Sequence, residues 1–98
     1  MKGDVRMGKI TTTIKRQWLD LIVSGKKRTE YRDIKPYWDK RLAQVHVPFR
    51  LRLINGMRAK APEVTVEIAH VRRNMRSKQY ELAIGKIISY KNCSRGNL

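Results

Sequence analysis

Short stretches in which apolar and polar side chains alternate recur along the chain, and this period of two is the pattern of a half-buried strand. In the most regular stretch, Phe49, Leu51 and Leu53 face one way, and Arg50 and Arg52 face the other. The predicted strands are, in chain order, 9–14, 26–34, 45–54, 64–71 and 80–90. Strands at such short spacing predict a mainly β protein.

One segment has the periodicity of a helix instead. Trp18, Leu21 and Ile22 recur at spacings of three and four residues, so a helix over 15–24 would carry them on one apolar face. We expect Trp18 to lie in the core on that face. Gly25 follows directly, in the position where a left-handed residue ends many helices.

The breaks between elements carry their own signals. Pro36 predicts a short turn of helix through Leu42, because proline is favoured at the first helical position. Asn55-Gly56 predicts a turn, and Gly85 predicts a bulge in the last strand. The expected fold class is α+β, mainly β: a small, partly open β-barrel of about five strands with one main helix.

The predicted organisation is a single domain spanning residues 1–98. We expect loosely ordered ends at 1–7 and 92–98, and a polar loop carrying four basic residues over 72–78.

The charge of the chain adds a prediction about what it binds. Lys and Arg number 23 against eight acids, which gives a formal net charge of +15. A field of that size attracts polyanions, of which nucleic-acid backbones are the commonest in cells. The lone Cys93 rules out an internal disulfide, and neither a membrane span nor a signal peptide is recognisable. His46 and His70 lack metal-site spacing. We therefore expect a cytoplasmic, nucleic-acid-binding protein without a metal or cofactor.

The basic residues form two clusters along the chain. The first follows the helix and comprises Lys26, Lys27, Arg28, Arg32 and Lys35. The second lies on the polar faces of later strands and in their loops, and comprises Arg50, Arg52, Arg58, Lys60, Arg72, Arg73, Arg76 and Lys78. If the strands curl into a barrel, both clusters could border one cleft.

Aromatic residues lie in or beside the first cluster, at Tyr31, Tyr37 and Trp38. Exposed rings next to Lys and Arg hold single-stranded bases by stacking while the cations contact phosphates, although any of these rings could instead belong to the core. The helix over 15–24 presents an apolar face rather than several polar groups for base edges. RNA is therefore a more natural partner than duplex DNA.

One acid lies among these bases, at Glu30. In a strand Glu30 and Arg32 share a face, while Lys27 and Tyr31 point the other way. The carboxylate could accept a hydrogen bond from a base edge, act as a general base with Lys27 nearby, or simply form a structural ion pair.

The strand and helix, followed by Gly25, Lys27, Glu30 and Arg32, resemble the ASCH domain of the PUA-like superfamily. That family has a strand, a helix ending in glycine and then Gly-x-Lys-x-x-Glu-x-Arg, which these residues match position for position. The later Asn55-Gly56 turn, the strand over 64–71 and the segment 84–87 are also similar. The resemblance implies a β-barrel of five or six strands with a cleft containing Lys27, Glu30 and Arg32.

The resemblance also implies RNA binding, and some small ASCH proteins are enzymes, either a ribonuclease or N4-acetylcytidine amidohydrolases. The amidohydrolases have a threonine three residues after the motif lysine, where this chain has Glu30, and Thr29 is one residue away. A one-residue offset in a strand turns the side chain to the other face. Candidates for the acid that those enzymes place elsewhere are Glu63, Glu67 and Glu81.

Three functions follow as hypotheses. The favoured one is a non-catalytic RNA-binding module whose contacts come from the two clusters and the motif: Lys26, Lys27, Arg28, Glu30, Tyr31, Arg32, Arg50, Arg52, Arg58, Arg72, Arg73 and Arg76. The second is a hydrolase acting on RNA or a modified nucleoside, with Lys27 and Glu30 as catalytic residues. The third is a module that docks an acidic protein.

Overall fold

The computed structural model describes residues 7–93, so most of the predicted loose ends, at 1–7 and 92–98, lies outside the described residues. Five strands and two helices follow one another as β1 (Lys9–Thr13), α1 (Arg16–Val23), β2 (Thr29–Asp33), α2 (Pro36–Ala43), β3 (Phe49–Ile54), β4 (Glu63–Asn74) and β5 (Gln79–Lys91). In this part of the chain, no helix is long and apolar enough to cross a bilayer.

The five strands form one mixed sheet in the order β1-β3-β4-β5-β2. The pairing of β1 with β3 is parallel, and the other three pairings are antiparallel. The sheet curls into a half-barrel, which confirms the predicted mainly β class and the partly open barrel.

The two edge strands are strongly staggered along the sheet. Through β3, Thr13 of β1 lies in the row of Glu63 in β4. Through β5, Arg32 of β2 lies in the row of Arg73, ten residues further along β4. A stagger of this kind makes a sheet tilt and curl toward closure, so residues far apart in the flat sheet can meet.

The core lies inside the half-barrel and confirms the alternation predicted for β3. Phe49, Leu51 and Leu53 are at most 1% exposed, while Arg50 is exposed and Arg52 is half-buried. The other fully buried side chains of the sheet come from the two long strands and include Val64, Val66, Ile68 and Leu82.

The helix α1 covers this core with a different face from the predicted one. Leu19, Ile22 and Val23 are buried, whereas Trp18 is 42% exposed, so the prediction of a core Trp18 is wrong. Both faces of this short helix carry apolar side chains at helical spacing, so periodicity cannot choose between them. Packing against the sheet selects Leu19 and leaves the larger Trp18 on the rim.

The end of α1 determines where the next strand begins. Gly25 has φ of +84°. Its N–H donates to the Ile22 carbonyl, and the N–H of Lys26 donates to the Leu21 carbonyl, which together make the Schellman ending. Because the N–H of Lys27 also donates to the Leu21 carbonyl at the end of α1, β2 begins at Thr29 rather than at residue 26.

Two further strand boundaries differ from those predicted. β3 begins at Phe49, after Pro48, which has no N–H to donate to a neighbouring strand. β4 continues to Asn74, so Arg72 and Arg73 belong to a strand rather than to a loop. The turn that follows is short, and the Asn74 side-chain oxygen accepts hydrogen bonds from two of its backbone N–H groups.

The predicted bulge and second helix are both present. Ile84 pairs with Ile68 and Lys86 pairs with Glu67, so Gly85 is the extra residue on β5. A Cβ at Gly85 would lie 3.1 Å from the Glu67 carboxylate. Pro36 occupies the first turn of α2, which is as long as α1.

Candidate functional site

A cleft of about 900 Å³ opens between α1, β2, the start of α2 and the end of β1. Its walls combine aromatic rings, cations and two acids. The residues that line it are Thr13, Ile14, Lys15, Trp18, Lys27, Glu30, Tyr31, Arg32, Asp33, Lys35, Tyr37, Trp38, Asn55 and Gln79.

Glu30 lies at the floor of the cleft, with its side chain only 6% exposed. It is the second residue of β2, paired with the buried Leu82 of β5, and this register turns it inward. Its Oε2 accepts from Arg32 Nε at 2.8 Å and lies 2.6 Å from Arg32 Nη2. Its Oε1 lies 3.5 Å from Lys27 Nζ. Burying a carboxylate is costly unless it is paired, and here two cations provide that pairing.

Lys27 enters the cleft with the carboxylate of Glu30, not on the opposite side. The strand-face prediction for this residue is wrong, because it precedes β2 and its backbone is not part of the strand. Its Nζ donates to the Thr29 carbonyl at 2.6 Å. The neighbouring Lys26 is exposed and does not line the cleft. The structure therefore places Lys27, and not Lys26, in the cleft.

Two exposed rings flank the ammonium group of Lys27. Its Nζ lies 4.9 Å from the ring centroid of Tyr31 and 5.5 Å from that of Trp18. Tyr31 is 49% exposed, so both rings present area to the cleft. Cation–π attraction of this kind holds the lysine close to both rings.

Arg32 connects the floor of the cleft to its far wall. Besides its bonds to Glu30, its Nη2 donates to the Thr13 carbonyl at the end of β1, at 2.9 Å. Its guanidinium carbon lies 5.3 Å from the ring centroid of Trp38. Trp38 is 7% exposed and belongs to the core, whereas its neighbour Tyr37 is half exposed. The sequence left a core role or an exposed stacking role open for both rings, and the structure buries Trp38 and exposes Tyr37.

Sequence reasoning missed Trp18 as a site residue. The available signal was its size and polar N–H, since a buried tryptophan needs a partner for that group and is often placed at a boundary. It also missed Asn55 at the opposite wall, whose side-chain amide donates to the Ile14 carbonyl at 2.9 Å. Only the closure of the barrel brings residue 55 to a cleft built around residues 27–32.

The two basic clusters do not border one cleft, so that prediction is wrong. Among residues 7–93, the cleft is lined by only four of the predicted contact residues: Lys27, Glu30, Tyr31 and Arg32. Lys35, which belongs to the first basic cluster, also lines it.

Arg52 has a different environment from the one predicted. Its Nε and Nη2 donate to the two oxygens of Glu63 at 2.8 and 2.9 Å. The hydrogen bonds from this guanidinium lower the pKa of the Glu63 carboxyl, and the same hydrogen bonds to Glu63 raise the pKa of Arg52. Arg52 therefore joins β3 to β4 as one side of an ion pair.

Four cations of the second basic cluster lie in or next to the end of the β4–β5 hairpin, which we call the basic hairpin: Arg72, Arg73, Arg76 and Lys78. The N–H of Ile34 donates to the Lys78 carbonyl at 3.0 Å. Gln79 at the base of the hairpin lines the cleft together with Lys35. The basic hairpin therefore begins next to the cleft wall formed by the β2–α2 junction, although none of its four cations lines the cleft.

The last predicted contact residues lie apart from the floor of the cleft. Arg50 lines a separate hollow of about 270 Å³ with Glu67 and Lys86. Arg28 lines another small hollow, at the Gly85 bulge. Arg58 is exposed in the connection between β3 and β4.

The three acids proposed for an amidohydrolase lie elsewhere. Glu63 is paired with Arg52, and Glu67 lines the hollow of Arg50. Glu81 accepts a hydrogen bond from the side-chain amide of Asn74 at 2.9 Å. Among residues 7–93, none of these three acids lines the cleft that Lys27 enters, although Glu81 pairs with Tyr31 across β2 and β5.

A buried tyrosine holds the helix that forms one wall of the cleft. The Tyr80 hydroxyl on β5 donates to the Asp39 carboxylate on α2. This hydrogen bond, together with burial, raises the pKa of Tyr80. Since Tyr80 pairs with Arg32 across β2 and β5, the contact fixes α2 against the strand that carries the site.

The floor of the cleft thus carries a carboxylate between two cations, below exposed aromatic rings. The match to the Gly-x-Lys-x-x-Glu-x-Arg pattern includes three residues of this site. Comparison of the chain with protein-family models, with curated proteins and with solved structures finds no match, so its resemblance to the ASCH domain rests on its own residues.

Proposed function

We propose that this protein is a non-catalytic RNA-binding domain that holds a single-stranded segment in the cleft. The observation that carries the proposal is the pair of half-exposed rings, Trp18 and Tyr31, whose centroids lie 5.5 and 4.9 Å from the Lys27 ammonium group. Rings of this kind stack on bases, and a cation among them interacts with phosphates or base oxygens. Stacking contributes about 1–3 kcal/mol per base.

The net charge supports the same function. A formal +15 on 98 residues favours association with polyanions. Lys35 lines the cleft, and the basic hairpin that carries Arg76 and Lys78 begins next to Gln79, which also lines it. A single-stranded RNA segment in the cleft would therefore have cations near its flanking phosphates on the side of Lys35 and the basic hairpin.

The geometry of Glu30 favours binding over catalysis. A general base needs an oxygen directed at the proton that it removes. Here Oε2 is engaged by two nitrogens of Arg32, and Oε1 faces Lys27. The carboxylate thus orients two cations while Oε1 can still accept a hydrogen bond from a ligand, an arrangement that suits binding.

The test is a titration of labelled single-stranded RNA, followed by fluorescence anisotropy between about 50 and 200 mM salt. We expect affinity to fall steeply with salt, and Trp18→Ala to weaken binding by about tenfold, since one stacking contact is lost. Tyr90→Ala is the matched control, because Tyr90 is as exposed as Trp18, at 41%, and lies outside the cleft.

Other outcomes would point to the other functions. Salt-independent binding, or equal effects of the Trp18 and Tyr90 substitutions, would contradict the proposal. Turnover of RNA or of a nucleoside that disappears in Lys27→Ala would indicate an enzyme. Tight binding of an acidic polypeptide in preference to RNA would indicate a protein-docking module.

A further inference from the structure

The three charged groups on the floor of the cleft form a row. The Lys27 ammonium group is a hydrogen-bond donor, the Glu30 carboxylate is an acceptor, and the Arg32 guanidinium group is a donor again. We propose that this row reads the imide edge of a uracil base. The inference rests on the proposed function, because it identifies which base the same cleft selects.

The chemistry of the four bases carries the choice. The Watson–Crick edge of uracil presents an acceptor, a donor and an acceptor, at O4, N3–H and O2. This order is the complement of Lys27, Glu30 and Arg32 taken in sequence. Cytosine presents a donor followed by two acceptors, guanine an acceptor followed by two donors, and adenine a donor followed by an acceptor. Each would place like groups opposite one another in at least one position, and buried polar groups left without a partner are costly.

Within residues 7–93, the hydrogen bonds formed by Lys27, Glu30 and Arg32 leave each side chain able to form at least one more. Lys27 Nζ uses one of its three hydrogens on the Thr29 carbonyl and directs another toward Glu30. Arg32 uses Nε and Nη2, which leaves the hydrogens of Nη1. Glu30 Oε1 faces Lys27 at 3.5 Å, which leaves room for a second and shorter hydrogen bond.

Burial gives the row its discriminating power. The side chains of Glu30, Lys27 and Arg32 are 6%, 14% and 18% exposed. A base that enters must replace water at these groups, and mismatched groups are then left without a partner. The rings of Trp18 and Tyr31 lie beside the row and would bind the face of the base, which directs its edge to the floor.

The experiment compares oligonucleotides of one length in oligo(U), oligo(C) and oligo(A), together with oligo(U) methylated at N3. We expect oligo(U) to bind about tenfold more tightly than oligo(C), the discrimination of one good bidentate base contact. Methylation at N3 removes the donor that faces Glu30 and is expected to abolish this preference. Because the change is in the ligand, folding of the protein does not affect the result.

Protein variants give a second measurement. Lys27→Gln is expected to reduce the ratio of oligo(U) to oligo(C) affinity, and Lys26→Gln, which removes a charge outside the cleft, is expected to leave the ratio unchanged. Oligo(dT) has the same imide edge, so it is expected to bind more tightly than oligo(dC).

The two proposals fail in different ways. Equal affinity for oligo(U), oligo(C) and N3-methylated oligo(U), with salt-dependent and Trp18-dependent binding retained, overturns uracil reading and leaves RNA binding in place. Equal affinity for oligo(dT) and oligo(dC) also counts against it. Absence of binding to every oligonucleotide overturns both.

Discussion

Arg32 Nη2 donates a 2.9 Å hydrogen bond to the carbonyl of Thr13, and this bond joins the two edge strands of the sheet. The two residues lie in rows ten residues apart along β4, so only the curl of the barrel brings them together. The same guanidinium group holds Glu30. Closure of the half-barrel and assembly of the cleft floor therefore depend on one side chain.

Replacing Arg32 by lysine tests this link. A lysine keeps the charge but cannot bond to Glu30 through two nitrogens while reaching the Thr13 carbonyl. We expect the free energy of unfolding to fall by about 1–3 kcal/mol, measured by urea denaturation. Arg16→Lys is the control, because Arg16 forms an exposed pair with Asp20 and the expected change is below about 1 kcal/mol. Equal losses in the two variants would contradict the bridging role.

The orientation of α1 predicts opposite behaviour for two neighbouring residues. Leu19 is fully buried, so Leu19→Ala is expected to lower the free energy of unfolding by about 2–5 kcal/mol. Trp18→Ala is expected to cost less stability while weakening RNA binding. Thermal or urea unfolding of both variants measures this difference. A larger loss of stability in Trp18→Ala than in Leu19→Ala would contradict this orientation and indicate that Trp18 packs in the core.

The basic hairpin predicts a change in salt dependence. For single strands the slope of log K against log salt is about −0.7 per phosphate contacted. We expect the double variant Arg76→Gln with Lys78→Asn to make the slope shallower by about 1.4. Asparagine is chosen because Lys78 has φ of +59°, which asparagine tolerates. Arg50→Gln with Lys86→Gln removes the same charge from the separate hollow and is expected to leave the slope nearly unchanged.

The ion pair of Arg52 and Glu63 predicts a pH dependence of stability. The hydrogen-bonded Arg52 lowers the pKa of Glu63 in the folded protein, so the folded state binds a proton there less readily than the unfolded chain does. Its contribution to stability is complete above the unfolded pKa and is lost as the pH falls through the folded pKa. We expect unfolding free energies measured between about pH 6 and pH 3 to fall more steeply in the natural protein than in Glu63→Gln. Parallel pH profiles would show that the pair contributes nothing.

Local pattern determined most of the elements of this protein. Alternation in 49–54 places arginines outward and Phe49 inward whatever the topology, because strand side chains alternate by geometry. Gly25 marks the end of α1 because a left-handed residue is needed there. The motif from Gly25 to Arg32 likewise indicated three of the charged residues that meet at the cleft floor.

The tertiary structure decided which of several equivalent residues enter the site. Strand alternation would turn Lys27 away from Glu30, but the Schellman turn leaves Lys27 outside β2, and its side chain enters the cleft. Periodicity allows Trp18 or Leu19 to be buried, and contact with the sheet buries Leu19. The basic clusters separate because barrel closure, a relation between residues distant in sequence, selects the walls of the cleft. Such long-range packing leaves no trace in the local pattern of the chain.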